Sequence, residues 1–331
     1  MDKVLVTRRI PEPGLEILRA HCEVEVFPHD RNMTREELLK AVQGKDGLLS
    51  LLTDRIDTEL FDSAPTLRAV ANCAVGFNNI DLAAATARGI PVTNTPGVLT
   101  DTTADLTWAL LMSVARRIAE ADRFTRAGKF DGWGPMLMLG GDIYGKTLGI
   151  VGMGRIGQAV AERATGFDMQ ILYSDAFELE SSTAQSLRAM RTDFETLLRQ
   201  SDFVTLHVPL TDQTEHLIGD KQFHLMKSTA YLINTSRGPV LDEKALVKAL
   251  QERRIAGAGL DVFEHEPYIE PELLEMENVV LLPHIGSASF ETRARMAIMA
   301  AENLIAALQG KVPPNCVNPE VFSKRQGIEQ N

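Results

Sequence analysis

Short, mostly apolar runs recur along the chain, many followed by a stretch whose apolar residues return at helical spacing. Val4–Thr7, Gly47–Ser50 and Arg68–Asn72 open the series. A stronger set follows at Thr147–Val151, Gln170–Tyr173, Phe203–Val208, Ala230–Asn234, Ala258–Val262 and Val279–Leu282. Such runs, without clean alternation, fit strands buried on both faces of a parallel sheet. Between them the spacing predicts helices over Gly14–His21, Gln158–Thr165, Asp193–Gln200, Glu243–Arg253 and Ser289–Gln309. It also predicts one long helix over Asp101–Ala127, with Thr100 or Asp101 as its N-cap. Strand and helix in alternation predict an α/β chain with doubly wound parallel sheets.

Two breaks divide the pattern. A turn containing Pro96-Gly97 precedes the long helix, and a glycine-rich irregular segment with Pro135 follows it. The last helical stretch comes after the last strand of the stronger set. The expected layout is therefore discontinuous, with residues 1–98 and 286–331 in one domain and 99–285 inserted as another. The tail after Pro319 is expected to be loosely held.

Composition narrows the function. The 331 residues hold 34 Lys and Arg against 45 Asp and Glu, a net charge of −11. That balance speaks against nonspecific binding to nucleic acid or to an anionic membrane. No apolar run approaches the roughly 18 residues of a membrane span, and the first residues read as a strand rather than a signal peptide. Cys22, Cys73 and Cys316 are scattered and lack CxxC spacing. They argue against a disulfide framework or a metal site and for a reducing cytoplasm. A chain this acidic must gather cations locally to hold an anion.

Gly152-Met153-Gly154-Arg155-Ile156-Gly157 matches GxGxxG. Alone the match is weak, but here it leaves a predicted strand and opens a predicted helix. In that place the first glycine permits the turn, the second lets backbone approach a pyrophosphate, and the third lets helix and strand pack closely. Free N–H groups at the helix start favour phosphate, and Arg155 either lies over the phosphates or is a surface residue. Asp175 ends the next strand, where a carboxylate would bond the adenosine ribose hydroxyls and repel a 2′-phosphate. No Arg or Lys follows before Arg188, so NAD(H) is expected over NADP(H).

In an open α/β sheet the ligand lies beyond the carboxyl ends of the strands. His207 ends the third strand of the stronger set, where it either borders the cofactor or simply closes the strand. Thr235-Ser236-Arg237-Gly238 follows the fourth, Asp261 and then Glu264-His265-Glu266-Pro267 the fifth, and Pro283-His284-Ile285-Gly286-Ser287 the sixth. An Arg, a Glu and a His so placed suit the reduction of a keto acid. The guanidinium clamps a carboxylate with two parallel bonds and polarises the adjacent carbonyl. The imidazole supplies a proton, and the carboxylate holds the imidazole and favours its charged form. His265 and Glu264 read as loop residues, His21, His29, His216 and His224 as surface or packing groups, and Asp54 and Asp81 as turn or cap groups.

The chain resembles the D-isomer-specific 2-hydroxyacid dehydrogenases, most closely the glyoxylate reductase / hydroxypyruvate reductase branch. The resemblance runs over nearly all of residues 3–320. It rests on Leu51–Asp57, Val75–Asp81, Thr93–Asp101, Gly152–Gly157, Ile233–Gly238, Gly259–Pro267 and Pro283–Ser287. It implies a Rossmann NAD-binding domain inserted into a discontinuous flavodoxin-like substrate domain. By resemblance Arg237 binds substrate, Glu266 is the partner carboxylate and His284 the general acid/base. The family spacings of 29 and 18 residues between them are kept. The resemblance also implies that Val75 and Gly76 hold the substrate carboxylate through backbone N–H groups, with Leu52 beside them. It sets Thr235, Asp261 and Gly286 along the cofactor.

Three departures stand out. NADP-using members of the branch often carry Ser-Arg where this chain has Asp175-Ala176. Asp168 replaces a usual glycine. Trp133–Met138 resembles an arm that reaches across a homodimer formed through the NAD-binding domain, but Leu137 stands where some relatives have Trp. The expected activity is an NADH-dependent reduction of glyoxylate or hydroxypyruvate. Alternatives are another D-2-hydroxyacid dehydrogenase, such as one acting on 3-phosphoglycerate, or an NAD-sensing module resembling corepressors of this family. A formate dehydrogenase is disfavoured, because Glu266 suits a substrate whose oxygen must be protonated.

Overall fold

The computed structural model of the protein describes residues 1–323, and its strands form two parallel sheets. The first holds β1 (Asp2–Val6), β2 (Cys22–Val26), β3 (Gly47–Ser50), β4 (Ala69–Asn72) and β5 (Val92–Thr93), in the order β2-β1-β3-β4-β5. The second holds β6 (Thr147–Val151), β7 (Gln170–Ser174), β8 (Ala189–Arg191), β9 (Phe203–Leu206), β10 (Tyr231–Asn234), β11 (Gly257–Leu260) and β12 (Val279–Leu281). Its order is β12-β11-β10-β9-β6-β7-β8. Met1–Leu99 together with the chain from Ser287 onward makes one compact unit, and Thr100–Gly286 makes the other.

Each sheet reverses its winding once, at β1/β3 in the first and at β6/β9 in the second. Such reversals open a crevice at the carboxyl edge, where ligands of doubly wound sheets bind. Every residue of β3, β4, β9 and β11 is buried, as their mostly apolar runs without alternation predict. In the second unit the helix Thr100–Ala115 turns Trp108, Leu111 and Ala115 into the core. The Trp108 indole N–H is satisfied by the Val160 carbonyl at 3.1 Å, so this stripe is packing.

Three strands escape the pattern of apolar runs: β2, β5 and β8. β2 reads Cys-Glu-Val-Glu-Val and is an edge strand with one face open to solvent. The long helix expected over Asp101–Ala127 is two helices, Thr100–Ala115 and Ile118–Arg126. Arg117 breaks it with a left-handed backbone at φ 55°. The first of these already includes Thr100, so Thr100 and Asp101 lie in its first turn rather than at its cap. Ser289 caps Phe290–Leu308 by accepting the Thr292 N–H. Beyond Pro319, Val321 and Phe322 are buried, so that part of the tail is packed; 324–331 lie outside the described residues.

Candidate active site

The register of β6 with β9 sets Val151 beside Leu206, and the loops leaving the two strands touch. His207 donates its N–H to the Val151 carbonyl at 2.7 Å. Gly152 adopts φ 94°, and a Cβ there would stand 2.7 Å from the His207 carbonyl carbon. A Cβ on Gly157 would meet the Gly152 carbonyl oxygen at 2.2 Å. These two glycines are demanded by chain packing. Gly154 has nothing within 4 Å of its missing Cβ, so the space above it is free for a ligand. It caps the helix Arg155–Ala164 without a side chain, leaving first-turn N–H groups for an anion. Arg155 is exposed and Ile156 half-buried.

Asp175 follows β7, and both of its carboxylate oxygens are already held. The Met153 N–H donates to one at 2.6 Å and the Phe177 N–H to the other at 2.9 Å. Each oxygen keeps a second lone pair for a hydroxyl donor. One cation stands closer than the sequence indicated. Arg191, in β8, donates to the Asp175 carbonyl at 3.1 Å and pairs with Glu178 at 3.3 Å.

His207 bears on the same edge. Both ring nitrogens are enclosed and neither has a hydrogen-bond partner. Burial brings its pKa down to about 3, so the ring is neutral. Enclosed polar atoms without partners are rare in folded chains. The open Gly154, the pre-held Asp175 and the unsatisfied His207 together fit a dinucleotide lying along this edge.

The next strands carry Arg237, Glu266 and His284. Asn234, the last residue of β10, organises the first turn: its side-chain oxygen accepts the Ser236 N–H and hydroxyl, and its side-chain amide donates to the Arg237 carbonyl at 3.0 Å. Sequence reasoning passed over Asn234, although an Asn ending a strand before Thr-Ser-Arg is itself a turn signal. Gly238 then packs flush against the Glu266 loop, since a Cβ there would lie 1.7 Å from the Phe263 carbonyl oxygen. Burial pushes the Arg237 guanidinium below its ordinary value, and the Glu266 charge only partly offsets this. It stays a cation, because guanidinium does not lose its proton in proteins.

Glu266 precedes a cis proline. One oxygen accepts the Phe263 N–H at 3.1 Å and the other faces His284 Nδ1 at 2.9 Å. Burial alone would raise this carboxyl, but His284, the Phe263 N–H and the Arg237 charge bring it below the ordinary range. His284 takes a left-handed backbone, φ 55°. The turn is clamped by Asp261, whose two oxygens accept the Ile285 and Gly286 N–H groups at 2.7 Å each. Burial, the largest influence, raises the Asp261 carboxyl despite those bonds. The Asp261 contacts seen here thus serve the His284 turn. Thr235 is buried, its hydroxyl 2.8 Å from that of Thr107.

His216 is a surface residue and Glu264 a loop residue, as expected, and the structure adds their partners. His216 lies 2.7 Å from Glu264, whose hydrogen bond and charge raise its pKa. Glu264 and Glu243 each bond the other's backbone N–H. Asp81 caps Leu82–Ala87, and Asp54 is buried and holds the Leu51 N–H and Thr7 hydroxyl. Leu52, Val75 and Gly76 belong to the first unit, half-buried in the loops that follow β3 and β4.

The NAD binding domain of the D-isomer specific 2-hydroxyacid dehydrogenases matches residues 108–286. The chain belongs to this family. It is 57% identical over 326 residues to a glyoxylate reductase of Korarchaeum cryptofilum, covering 98% of each chain. Among solved structures, the TT0316 protein of Thermus thermophilus is 46% identical with a TM-score of 0.89, covering 95% of this chain and 99% of that one. An NADPH-dependent glyoxylate/hydroxypyruvate reductase of Sinorhizobium meliloti, solved with NADP and malonate, is 33% identical with a TM-score of 0.85, covering 97% and 98%. Family, doubly wound fold and nicotinamide-dependent oxidoreductase class thus agree with the reading of the sequence. No helix among the described residues is long and apolar enough to cross a membrane.

Proposed function

We propose that the protein is an NADH-dependent reductase of glyoxylate and hydroxypyruvate, forming glycolate and D-glycerate. The observation that carries the reading is the 2.9 Å contact of His284 Nδ1 with Glu266, in a loop packed against the one that bears Arg237. Arg237 binds the substrate carboxylate and polarises the neighbouring carbonyl. With Nδ1–H donated to Glu266, Nε2 of His284 is the nitrogen that gives a proton to the forming alkoxide and takes it back in oxidation. Glu266 orients the imidazole. Bound NADH supplies the hydride, held along Gly152, Gly154, Arg155, Ile156, Gly157 and His207, with Thr235, Asp261 and Gly286 flanking its nicotinamide end. In the first unit, Leu52 and the Val75 and Gly76 N–H groups take the carboxylate end of the substrate.

Asp175 supports NADH over NADPH, because its carboxylate repels a 2′-phosphate. A 3-phospho acid is disfavoured: Arg55 is the cation of the loop 49–57 and is paired to Asp57 at 2.8 Å. The reading is tested by NADH consumption with glyoxylate, hydroxypyruvate, pyruvate and 3-phosphohydroxypyruvate, each repeated with NADPH. Turnover led by the first two with NADH supports it; turnover led by the phosphorylated acid or by NADPH overturns it.

The same reading makes the protein a homodimer joined through its NAD-binding unit. Ile118, Phe130, Trp133, Met136, Leu139 and Tyr144 are large apolar side chains at least half exposed along one segment of that unit, and an apolar strip of that kind marks an interface. Sedimentation of wild type against Trp133→Glu with Met136→Glu checks it. Three free cysteines suit the reducing cytoplasm.

A further inference from the structure

Three successive carbonyls in the loop after β4 are clamped from inside their own unit. The Thr95 N–H donates to the Ala74 carbonyl at 2.8 Å. The Asn94 amide donates to the Val75 carbonyl at 2.7 Å, and the Asn72 amide to the Gly76 carbonyl at 2.9 Å. All three donors are buried. A trans peptide points its N–H opposite its carbonyl. Turning these oxygens inward therefore turns the N–H groups of Val75, Gly76 and Phe77 outward. None of these three N–H groups has a partner among the described residues. Backbone donors rarely stay unpaired, and several in succession make a concavity that takes an anion.

We infer that Asn72 and Asn94 are positioning residues for substrate binding, their amides aiming the Val75, Gly76 and Phe77 N–H groups at the substrate carboxylate. This rests on the proposed reading that Val75 and Gly76 seat that carboxylate. The clamps are themselves held. Asn94 donates its N–H to the Asn315 carbonyl at 3.2 Å and accepts the Asn303 amide on its own carbonyl at 3.2 Å. The Asn72 oxygen accepts the Ser50 hydroxyl at 3.1 Å. Asn79 faces Asn72 at 3.2 Å and donates to the Leu51 and Asp54 carbonyls at 3.0 and 2.9 Å. The chain of amides thus joins the loop bearing Leu52 to the loop bearing Gly76. Donors set in advance lose little on reorganising when charge arrives. A carboxylate accepting them forms charge-assisted bonds without a side-chain cation.

The test is Asn94→Asp, which keeps the side chain's shape but replaces the donor facing the Val75 carbonyl with an acceptor. KM for glyoxylate rises about tenfold, while kcat and KM for NADH stay within about twofold. Turnover of glycolaldehyde, which lacks the carboxylate, is unchanged. A merely structural role lowers kcat and glycolaldehyde turnover together, and that result, or an unmoved KM, overturns the inference. Titrating glycine-15N-labelled protein with oxamate in the presence of NADH separates the two levels. A wild-type Gly76 amide resonance that does not move removes the carboxylate seat itself. A resonance that moves with equal affinity in wild type and Asn94→Asp leaves the seat and removes the positioning role. Should Asn94→Asp fail to fold, Asn72→Ser puts the same question at the Gly76 carbonyl.

Discussion

Nδ1 of His284 stands 2.9 Å from Oε2 of Glu266, and this contact decides which imidazole nitrogen faces the reaction. An acceptor at Nδ1 holds the proton there and leaves Nε2 to give and take protons. His284→Ala removes the acid and the base together. Its kcat should fall about 10²- to 10⁴-fold, with NADH binding retained in a fluorescence titration. Glu266→Gln keeps the shape and removes the charge, so its kcat should fall less than that of His284→Ala. A His284→Ala variant within tenfold of wild type would remove His284 from the mechanism.

Cofactor choice is tested at the end of β7. Asp175→Ser with Ala176→Arg removes the carboxylate that Met153 and Phe177 hold and adds a guanidinium where a 2′-phosphate would sit. Arg191, already bonded to the Asp175 carbonyl, supplies a second cation. The ratio of kcat/KM for NADPH to that for NADH should rise by more than tenfold, as expected for gaining charge-assisted phosphate bonds. An unchanged ratio would mean that selectivity is set elsewhere.

Acid should destabilise the NAD-binding unit through His207. Its buried ring stays neutral down to about pH 3, whereas in the unfolded chain it gains a proton below its ordinary value of about 6.5. Between those values the unfolded state binds more protons, so stability falls as pH falls. One such proton costs about 2 kcal/mol between pH 7 and pH 5. In urea unfolding, His207→Phe should lose about that much less than wild type over the same interval. Equal losses would mean the ring is solvated in the native state.

The parts of this fold that were legible are those where burial leaves no freedom. Strands β6, β9, β10 and β11 lie inside a sheet covered on both faces, so their sequences are mostly apolar and do not alternate. The edge strand β2 has one wet face, and its alternation of glutamate with valine does not make an apolar run. Arg117 shows another limit, because the helical periodicity runs on through a residue whose backbone has turned left-handed. At the site, the glycine loop and the Arg, Glu and His each follow a strand and so announce themselves. Asn79 and Asn94 act by holding carbonyls 19 to 28 residues away, brought near only by folding. No spacing rule exposes such partners. The His216–Glu264 pair, 48 residues apart, escaped for the same reason.

The glycines of the cofactor loop separate packing from binding. At Gly157 an added Cβ would strike the Gly152 carbonyl at 2.2 Å, a backbone atom that cannot rotate away. Gly157→Ala should therefore destabilise the unit by about 1–3 kcal/mol, as overpacking does, and lose cofactor affinity through the displaced turn. Gly154 is the opposite case, with an extended backbone and open space around it. Gly154→Ala should lower stability only modestly, by about 1 kcal/mol or less, since Ala is a poorer N-cap than Gly but fits the extended backbone. Its new methyl group projects where a pyrophosphate must approach, so KM for NADH should rise about tenfold or more with little loss of stability. Thermal melts of the two variants beside their NADH titrations make the comparison. A Gly154→Ala protein that binds NADH as wild type does would place the pyrophosphate away from this loop.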